Sequence, residues 1–394
     1  MKVIILNSRE RLVPRVALEA KTLKDQGYNI TIVNWCRSSK DFSYFSKEQD
    51  GFCVKWIMLD SYKGSIKTLF SAPRLYTKIW RTLQNEEFDV IHCIDLFLLP
   101  AAIYVAKRKK AKIVYDAKER YIIYMSEYFL FLRGIMKKLI ETLENFLVKH
   151  VDAVLTISTN KEMFEKRYKR FCRNVEVIYN VPDLSAKSDK IIIENLRNKY
   201  QGKYILAYAG ELGEQKGLNI LPEVIKLVRE KFSQVLVLLI GNFAFPSYKE
   251  QFLAYIKKED VEQNIIIMPW LPYDKMFQYL KISHVGLALY QPRESYKFAG
   301  KGCACKLFTY MHAGIPIIST NFGELAKVVK EENCGILVDT TSAQAIANAV
   351  IFLLKNKDIA REFGENGRRA ILEKYNWGKE SQKLLKIYKK ILMQ

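Results

Sequence analysis

Residues 1–36 read MKVIILNSRERLVPRVALEAKTLKDQGYNITIVNWC, and their pattern decides the fold. The apolar run 3–6 stops at Asn7, residues 14–26 read as a helix, Gly27 stops it, and 29–33 is apolar again. Strand, helix and strand in that order predict a βαβ unit. Further short apolar runs at 54–58, 89–93, 112–115, 153–157 and 175–179, with helical patterns between most of them, extend it to an open, mostly parallel sheet. After Asn180-Val181-Pro182-Asp183 comes the polar stretch LSAKSDK, and the same grammar restarts at 204–208. It runs on through 235–240, 264–268, 284–289, 315–319 and 335–338. The expectation is α/β, two Rossmann-like doubly wound domains over 1–185 and 186–375, with 376–394 as a closing helix. In that helix Leu384, Ile387, Tyr388 and Ile391 recur at helical spacing opposite a lysine-rich face.

Length and composition agree, since 394 residues with 49% hydrophobic and 27% charged suit two folded domains and not a disordered chain. The first ten residues lack the h-region of a secretory signal, and apolar runs such as VLVLLI at 235–240 are of strand length, so no span of a membrane is expected. Seven cysteines, an odd number scattered through strands and helices, fit a reducing compartment, hence the cytoplasm. Only Cys303 and Cys305 are closely spaced, and none of the four histidines completes a zinc pattern, so no metal is expected. A net charge of +21 attracts nucleic acid, anionic lipid or phosphorylated substrates.

In open α/β sheets ligands bind beyond the carboxyl ends of the strands, where helix N-termini offer unpaired N–H groups to phosphate. Two segments there combine glycines with a lysine: Ala209-Gly210-Glu211-Leu212-Gly213-Glu214-Gln215-Lys216-Gly217, and Gly300-Lys301-Gly302-Cys303-Ala304-Cys305-Lys306 before a helix ending at Ala313-Gly314. They read as a phosphate cradle or as ordinary turns and a helix cap, for neither has Walker or GxGxxG spacing.

The stretch Lys306-Leu-Phe-Thr-Tyr-Met-His-Ala-Gly-Ile-Pro-Ile-Ile-Ser-Thr-Asn, with Gly323-Glu324-Leu and Asn333-Cys-Gly-Ile-Leu-Val after it, resembles the donor-site signature of glycosyltransferase family 4, retaining enzymes of the GT-B fold. Matches in the expected order span nearly the whole chain: Pro14-Arg15-Val16 with Glu19-Ala20, Asp89-Val-Ile-His92-Cys-Ile-Asp95, Val114-Tyr-Asp116-Ala-Lys118-Glu119, Leu155-Thr-Ile-Ser158, Val177-Ile-Tyr-Asn180, Tyr208-Ala-Gly210, Lys216-Gly217, Leu239-Ile-Gly241 and Tyr375-Asn-Trp377. The chain is similar to a divergent member. The resemblance implies two domains facing a central cleft, a nucleotide-sugar donor as substrate and no cofactor. By the same resemblance Lys216 would contact the donor diphosphate from the loop that holds Gly210 and Glu211. Backbone N–H groups near Cys305 and Lys306 would cap it, and Gly241 and the Met268 to Leu271 loop would border the base. Asp116 and Glu119, with Lys118 between them, would face the reacting sugar, and the chain from Trp377 would cross back to the first domain.

The departures are specific. Thr309 stands where the family usually has the Glu that holds the ribose, the earlier Glu of that pair falls at Gly302, a cleft His is replaced by Lys118, and Glu211 takes the place of an Arg. Thr309 offers one neutral hydrogen bond in place of a charge-assisted pair. His92 and Asp95 read as cleft-lining or structural residues, and Cys303 and Cys305 as packed or reactive thiols.

Basic residues gather in the first half, at Lys107-Arg108-Lys109-Lys110, at Lys137, Lys138 and Lys149, and at 166–170. Ile135, Leu139, Leu143, Phe146 and Leu147 form an apolar face in the same region, which follows the aromatic segment 121–132. An anionic membrane surface suits that mixture, on the inner face of the cell membrane, and so does a solvated lysine face over an ordinary core. Nucleic acid does not, because aromatic and basic residues are not interleaved. The expected activity is transfer of a sugar from a nucleotide donor, with retention, to a lipid-linked or oligosaccharide acceptor in assembly of a surface glycan such as a capsule, exopolysaccharide or lipopolysaccharide. A non-catalytic subunit of a glycan-assembly complex is the alternative, and an epimerase or hydrolase of the same fold a weaker one.

Overall fold

The computed structural model describes residues 1–8, 14–36, 48–49, 51–60, 70–117, 133–157, 166–185, 188–292 and 305–393. The chain divides into two compact units, one of Met1–Tyr179 with Glu380–Gln394 and one of Asn180–Lys379. Lys118, Glu119, Gly302 and Cys303 lie outside the described residues.

The first unit is built on β1 (Lys2–Asn7), β2 (Asn29–Cys36), β3 (Glu48–Gln49), β4 (Phe52–Met58), β5 (Val90–Ile94), β6 (Lys112–Ala117), β7 (Ala153–Thr156) and β8 (Val175–Val177). Their order is β3-β4-β2-β1-β5-β6-β7-β8, parallel except for β3 against β4. Leu6 of β1 lies beside Val33 of β2 on one side and Cys93 of β5 on the other, so the sheet reverses its winding at β1. In open α/β sheets such a reversal is the place where ligands bind. Burial on both faces explains the continuous apolar strands, with Val3, Ile4, Ile5 and Leu6 all at 1% exposure or less.

The Trp377–Leu392 helix sets Leu384, Ile387, Tyr388 and Ile391 into the first unit, all buried. Burial of four such side chains contributes about 6–10 kcal/mol as an upper figure. Glu380 accepts the Tyr179 backbone N–H at 2.9 Å, which fastens the start of the helix beside the end of the first unit's main segment. The Arg133–Val148 helix turns out differently from a core element, for of the apolar face read from spacing only Leu147 is buried.

Among the described residues the second unit has six parallel strands, β9 (Tyr204–Ala209), β10 (Val235–Ile240), β11 (Ile265–Met268), β12 (Val285–Ala288), β13 (Ile317–Thr320) and β14 (Gly335–Val338). Their order, β11-β10-β9-β12-β13-β14, puts the switch point between β9 and β12. Helices Leu221–Arg229 and Ala343–Lys355 cover one face around Leu206, Val237, Leu239 and Leu287, and helix Lys190–Lys199 packs near Leu236 and Leu238 on the other.

Candidate active site

At the switch point of the second unit, the loops after β9 and β10 touch through two glycines. Gly210 donates its N–H to Ile240 O at 2.9 Å, and a Cβ on Gly241 would stand 1.9 Å from Gly210 O. No other residue fits at Gly241. The loop after β9 then turns through the short 3-10 segment Glu214–Lys216 to Gly217, whose φ of +80° and a Cβ position 2.1 Å from Leu289 O again demand glycine. Tyr208 reaches under this loop, its hydroxyl 3.2 Å from both Glu211 O and Lys216 O. Tyr310 links the neighbouring strands, accepting Ala209 N–H at 2.8 Å and donating to Leu287 O at 3.1 Å. The two loops thus present their backbone at the C-terminal ends of β9 and β10, where a ligand recess is expected in an open α/β sheet.

Three charged side chains meet there. Lys216 Nζ is 2.9 Å from Glu211 Oε1, with Glu211 about half exposed. Lys306, in the first turn of the Cys305–Ala313 helix, is buried at 7% exposure, and its Nζ has no hydrogen-bond partner among the described residues. That ammonium lies 3.8 Å from the Tyr208 ring centre and 5.1 Å from that of Tyr290, with its Cε 3.5 Å from a Cβ position on Gly210. Burial pushes the Lys306 pKa well down, Lys216 adds to the shift, and Glu211 opposes it. A buried cation without a hydrogen-bond acceptor is costly unless an anion joins it.

Thr309, one turn on, donates its hydroxyl proton to Cys305 O at 2.7 Å and also meets the Tyr273 hydroxyl. Cys305 itself is exposed at the start of the helix. On the far side of the recess Gly241 N–H donates to Met268 O at 3.0 Å, and Met268 and Leu271 pack as half-buried apolar residues. Trp270 between them is 53% exposed, its backbone N–H fixed by Asn242 Oδ1 at 3.1 Å. Gly210, Glu211, Lys216, Gly241, Lys306 and Met268 are thus brought around one recess. Reading by motif missed Asn242 and Tyr290, which carry no motif of their own, and gave Tyr208 no part beside Lys306.

In the first unit Asp116 lies near the end of β6. It is fully buried and takes Arg15 Nη2 at 2.8 Å, while Arg15 Nε binds Glu19 at 2.8 Å and Nη1 donates to Ile178 O at 3.1 Å. In this arrangement the buried guanidinium offsets the charge of the Asp116 carboxylate. His92 joins the cluster, its Nδ1 2.9 Å from the Tyr388 hydroxyl, and burial drives its pKa down to about 4, Asp116 opposing and Arg15 assisting. Glu19, His92 and Asp116 place ligand atoms within 4.8 Å of one another, which resembles a metal donor set. Arg15 already holds one oxygen of each carboxylate, so the set does not fit a divalent cation. Asp95 follows β5 with φ of +77°, a strained value for a non-glycine residue, and accepts the Ser8 hydroxyl beside the end of β1.

Two parallel α/β sheets, each with a switch point in its strand order, define a protein of the GT-B class. The family model described as glycosyl transferases group 1 matches residues 189–370, and that described as glycosyltransferase family 4 matches 15–186. The chain belongs to this glycosyltransferase family. An uncharacterized glycosyltransferase of Methanocaldococcus jannaschii is 24% identical over 340 residues, 82% of this chain and 81% of the relative. The N-acetyl-alpha-D-glucosaminyl L-malate synthase of Bacillus anthracis is 22% identical over 325 residues, covering 80% and 77%. Among solved structures, sucrose-phosphate synthase from Thermosynechococcus elongatus superposes with a TM-score of 0.79 at 16% identity, over 100% of both chains. Anabaena HepE in complex with UDP-glucose gives 0.75 at 15% identity, over 99% of this chain and 100% of that one. At these identities the structures establish the GT-B fold. Among the described residues no helix is long and apolar enough to cross a membrane.

Proposed function

We propose that the chain is a retaining glycosyltransferase that takes its sugar from a nucleoside-diphosphate donor held in the second unit. The observation that carries this reading is Lys306, a buried ammonium without a hydrogen-bond acceptor among the described residues, behind the Gly210 and Gly241 recess. The donor diphosphate supplies the missing acceptor. Lys306 stabilises the departing diphosphate, and Lys216 assists once it leaves Glu211. Backbone N–H groups at the start of the Cys305–Ala313 helix add their dipole. Met268, Trp270 and Leu271 border the base, and Thr309 accepts a hydrogen bond from the ribose in place of the usual carboxylate. The diphosphate is substrate, and no resident cofactor or metal enters the reading. In support, relatives across both family models are glycosyltransferases, and HepE was solved with UDP-glucose.

The acceptor in this proposal is a lipid-linked or polysaccharide hydroxyl at the cytoplasmic face of the cell membrane, in the assembly of a surface glycan. Incubation of the purified chain with a panel of nucleotide sugars and membrane-extracted lipid acceptors tests it by release of nucleoside diphosphate, with the anomeric configuration of the product read by NMR. Acceptor-dependent release with retention is expected, and release without acceptor, or inversion, contradicts it. A second reading, a non-catalytic subunit, is favoured by the Glu211–Lys216 ion pair, which occupies a donor-site cation. Nucleotide binding without transfer, restored by a partner protein, would distinguish it.

A further inference from the structure

The Arg133–Val148 helix packs Ile140, Leu147 and Val148 against the first unit's core and leaves a second apolar stripe exposed. Ile135, Leu139, Leu143 and Phe146, spaced four, four and three residues apart, are exposed by 68%, 59%, 49% and 56%. Facing inward beside Leu147 and Val148 is a charge. Glu144 is buried at 2% exposure and accepts the Tyr115 and Tyr168 hydroxyls, each at 2.8 Å, and the guanidinium of Arg167. This network fixes the rotation of the helix. Rolling it to hide the apolar stripe would strip Glu144 and Arg167 of each other, which is strongly unfavourable inside a protein.

The stripe runs for about 17 Å at 1.5 Å per residue and has cations along it and at its end. Lys138 on the helix and Lys149 just after its end are exposed. The Phe146 ring lies 5.2 Å from that of His150 in an edge contact, and His150 Nδ1 is 3.4 Å from Lys107 Nζ. Lys107 opens the run Lys107-Arg108-Lys109-Lys110 at the end of the Leu99–Lys109 helix, where Arg108 sits over the ring of Tyr104, itself 47% exposed. Aliphatic and aromatic side chains thus pass without a break into a basic patch.

We propose that this face docks on a lipid bilayer with anionic headgroups, the stripe entering the boundary between headgroups and acyl chains while the lysines and arginine bind phosphate. A helix lying in that interface needs an outward apolar face and flanking cations, and these residues supply both. A second copy of the chain is the poorer occupant. A twofold contact through the same face brings one basic patch toward the other, in a protein of net charge +21. Docking extends the proposed function by bringing the first unit to a lipid-borne acceptor, but it needs no donor and is measured without one.

The test is flotation of the full chain with vesicles of phosphatidylcholine alone and of phosphatidylcholine with phosphatidylglycerol. The chain is expected to float with the anionic vesicles and to be released by salt. In the Leu139→Asp, Leu143→Asp double variant the bound fraction is expected to fall at least about tenfold, with thermal unfolding and nucleotide binding unchanged because both side chains are exposed. Lys107→Glu with Arg108→Glu is expected to abolish the preference for anionic vesicles. Failure of the chain to float, equal flotation of the double variant, or concentration-dependent dimerisation that the double variant abolishes in place of vesicle binding would each overturn the proposal. Donor turnover that persists after such a failure would show that the glycosyltransferase reading stands without the docking.

Discussion

Glu211→Gln is expected to tighten the binding of nucleoside diphosphates. Its carboxylate now holds Lys216 at 2.9 Å, so a phosphate approaching Lys216 meets a negative charge that must be displaced or tolerated. A unit charge about 6 Å from a phosphate charge costs about 0.7 kcal/mol at bulk screening and about 3 kcal/mol at an effective dielectric of 20. The Glu211 side chain is 52% exposed, which selects the screened end, about 1 kcal/mol for each nearby phosphate charge. Affinity should therefore rise between about fivefold and thirtyfold for one to two such charges. The gain should shrink in high salt, because the carboxylate is open to solvent. Isothermal titration of UDP and GDP against both forms, at low and high ionic strength, measures it. Equal or weaker binding by the Gln variant would refute the reasoning and make Glu211 a donor contact, for instance to a sugar hydroxyl.

Other predictions follow from the buried charges. Burial, then Lys216, lowers the pKa of Lys306, so at pH values where part of the population is neutral, binding of a diphosphate should draw a proton onto it. Titration in buffers of different ionisation enthalpy should show uptake, with affinity rising as pH falls through the window between the lowered pKa and its bound value. Arg15→Met leaves the Glu19 and Asp116 carboxylates buried without their counter-charge and should cost about 3–5 kcal/mol in urea unfolding. Adding Asp116→Asn and Glu19→Gln should recover much of that. His92 is held down to about 4 by burial. The unfolded chain, with the ordinary histidine value of about 6.5, binds the proton first, so stability present above that pH is lost as it falls toward 4. The loss over that window is on the order of 3 kcal/mol, and urea midpoints at a series of pH values should be flatter for His92→Gln.

The fold was legible because strands covered on both faces leave continuous apolar runs, and the run at 235–240 is buried along its whole length. The glycine loops were legible for a related reason, since the backbone of Gly241 approaches Gly210 too closely for any side chain. Partnerships between distant residues were not. Arg15 and Asp116 are 101 positions apart, and nothing near either one announces that the guanidinium will neutralise the carboxylate. The outward turn of the Arg133–Val148 helix was hidden likewise, because Glu144 decides it through Tyr115, Tyr168 and Arg167. Spacing gives the apolar stripe but not which way it faces. Lys306 was read through the helix N-terminus it occupies, whereas its burial against Tyr208 and Tyr290 makes the ammonium itself the stronger feature.

The most direct measurement is calorimetric titration of UDP, GDP, ADP and CMP against the chain and its Lys306→Met variant, with thermal unfolding of both. One nucleoside diphosphate should bind the chain, and Lys306→Met should lose at least about tenfold in affinity, the scale of a charge-assisted contact to phosphate. The empty variant should unfold no lower than the parent, because methionine replaces a buried cation that lacks a hydrogen-bond partner among the described residues. If no nucleotide binds, or one binds both forms equally, the second unit does not hold a donor through Lys306, and the proposed site is wrong.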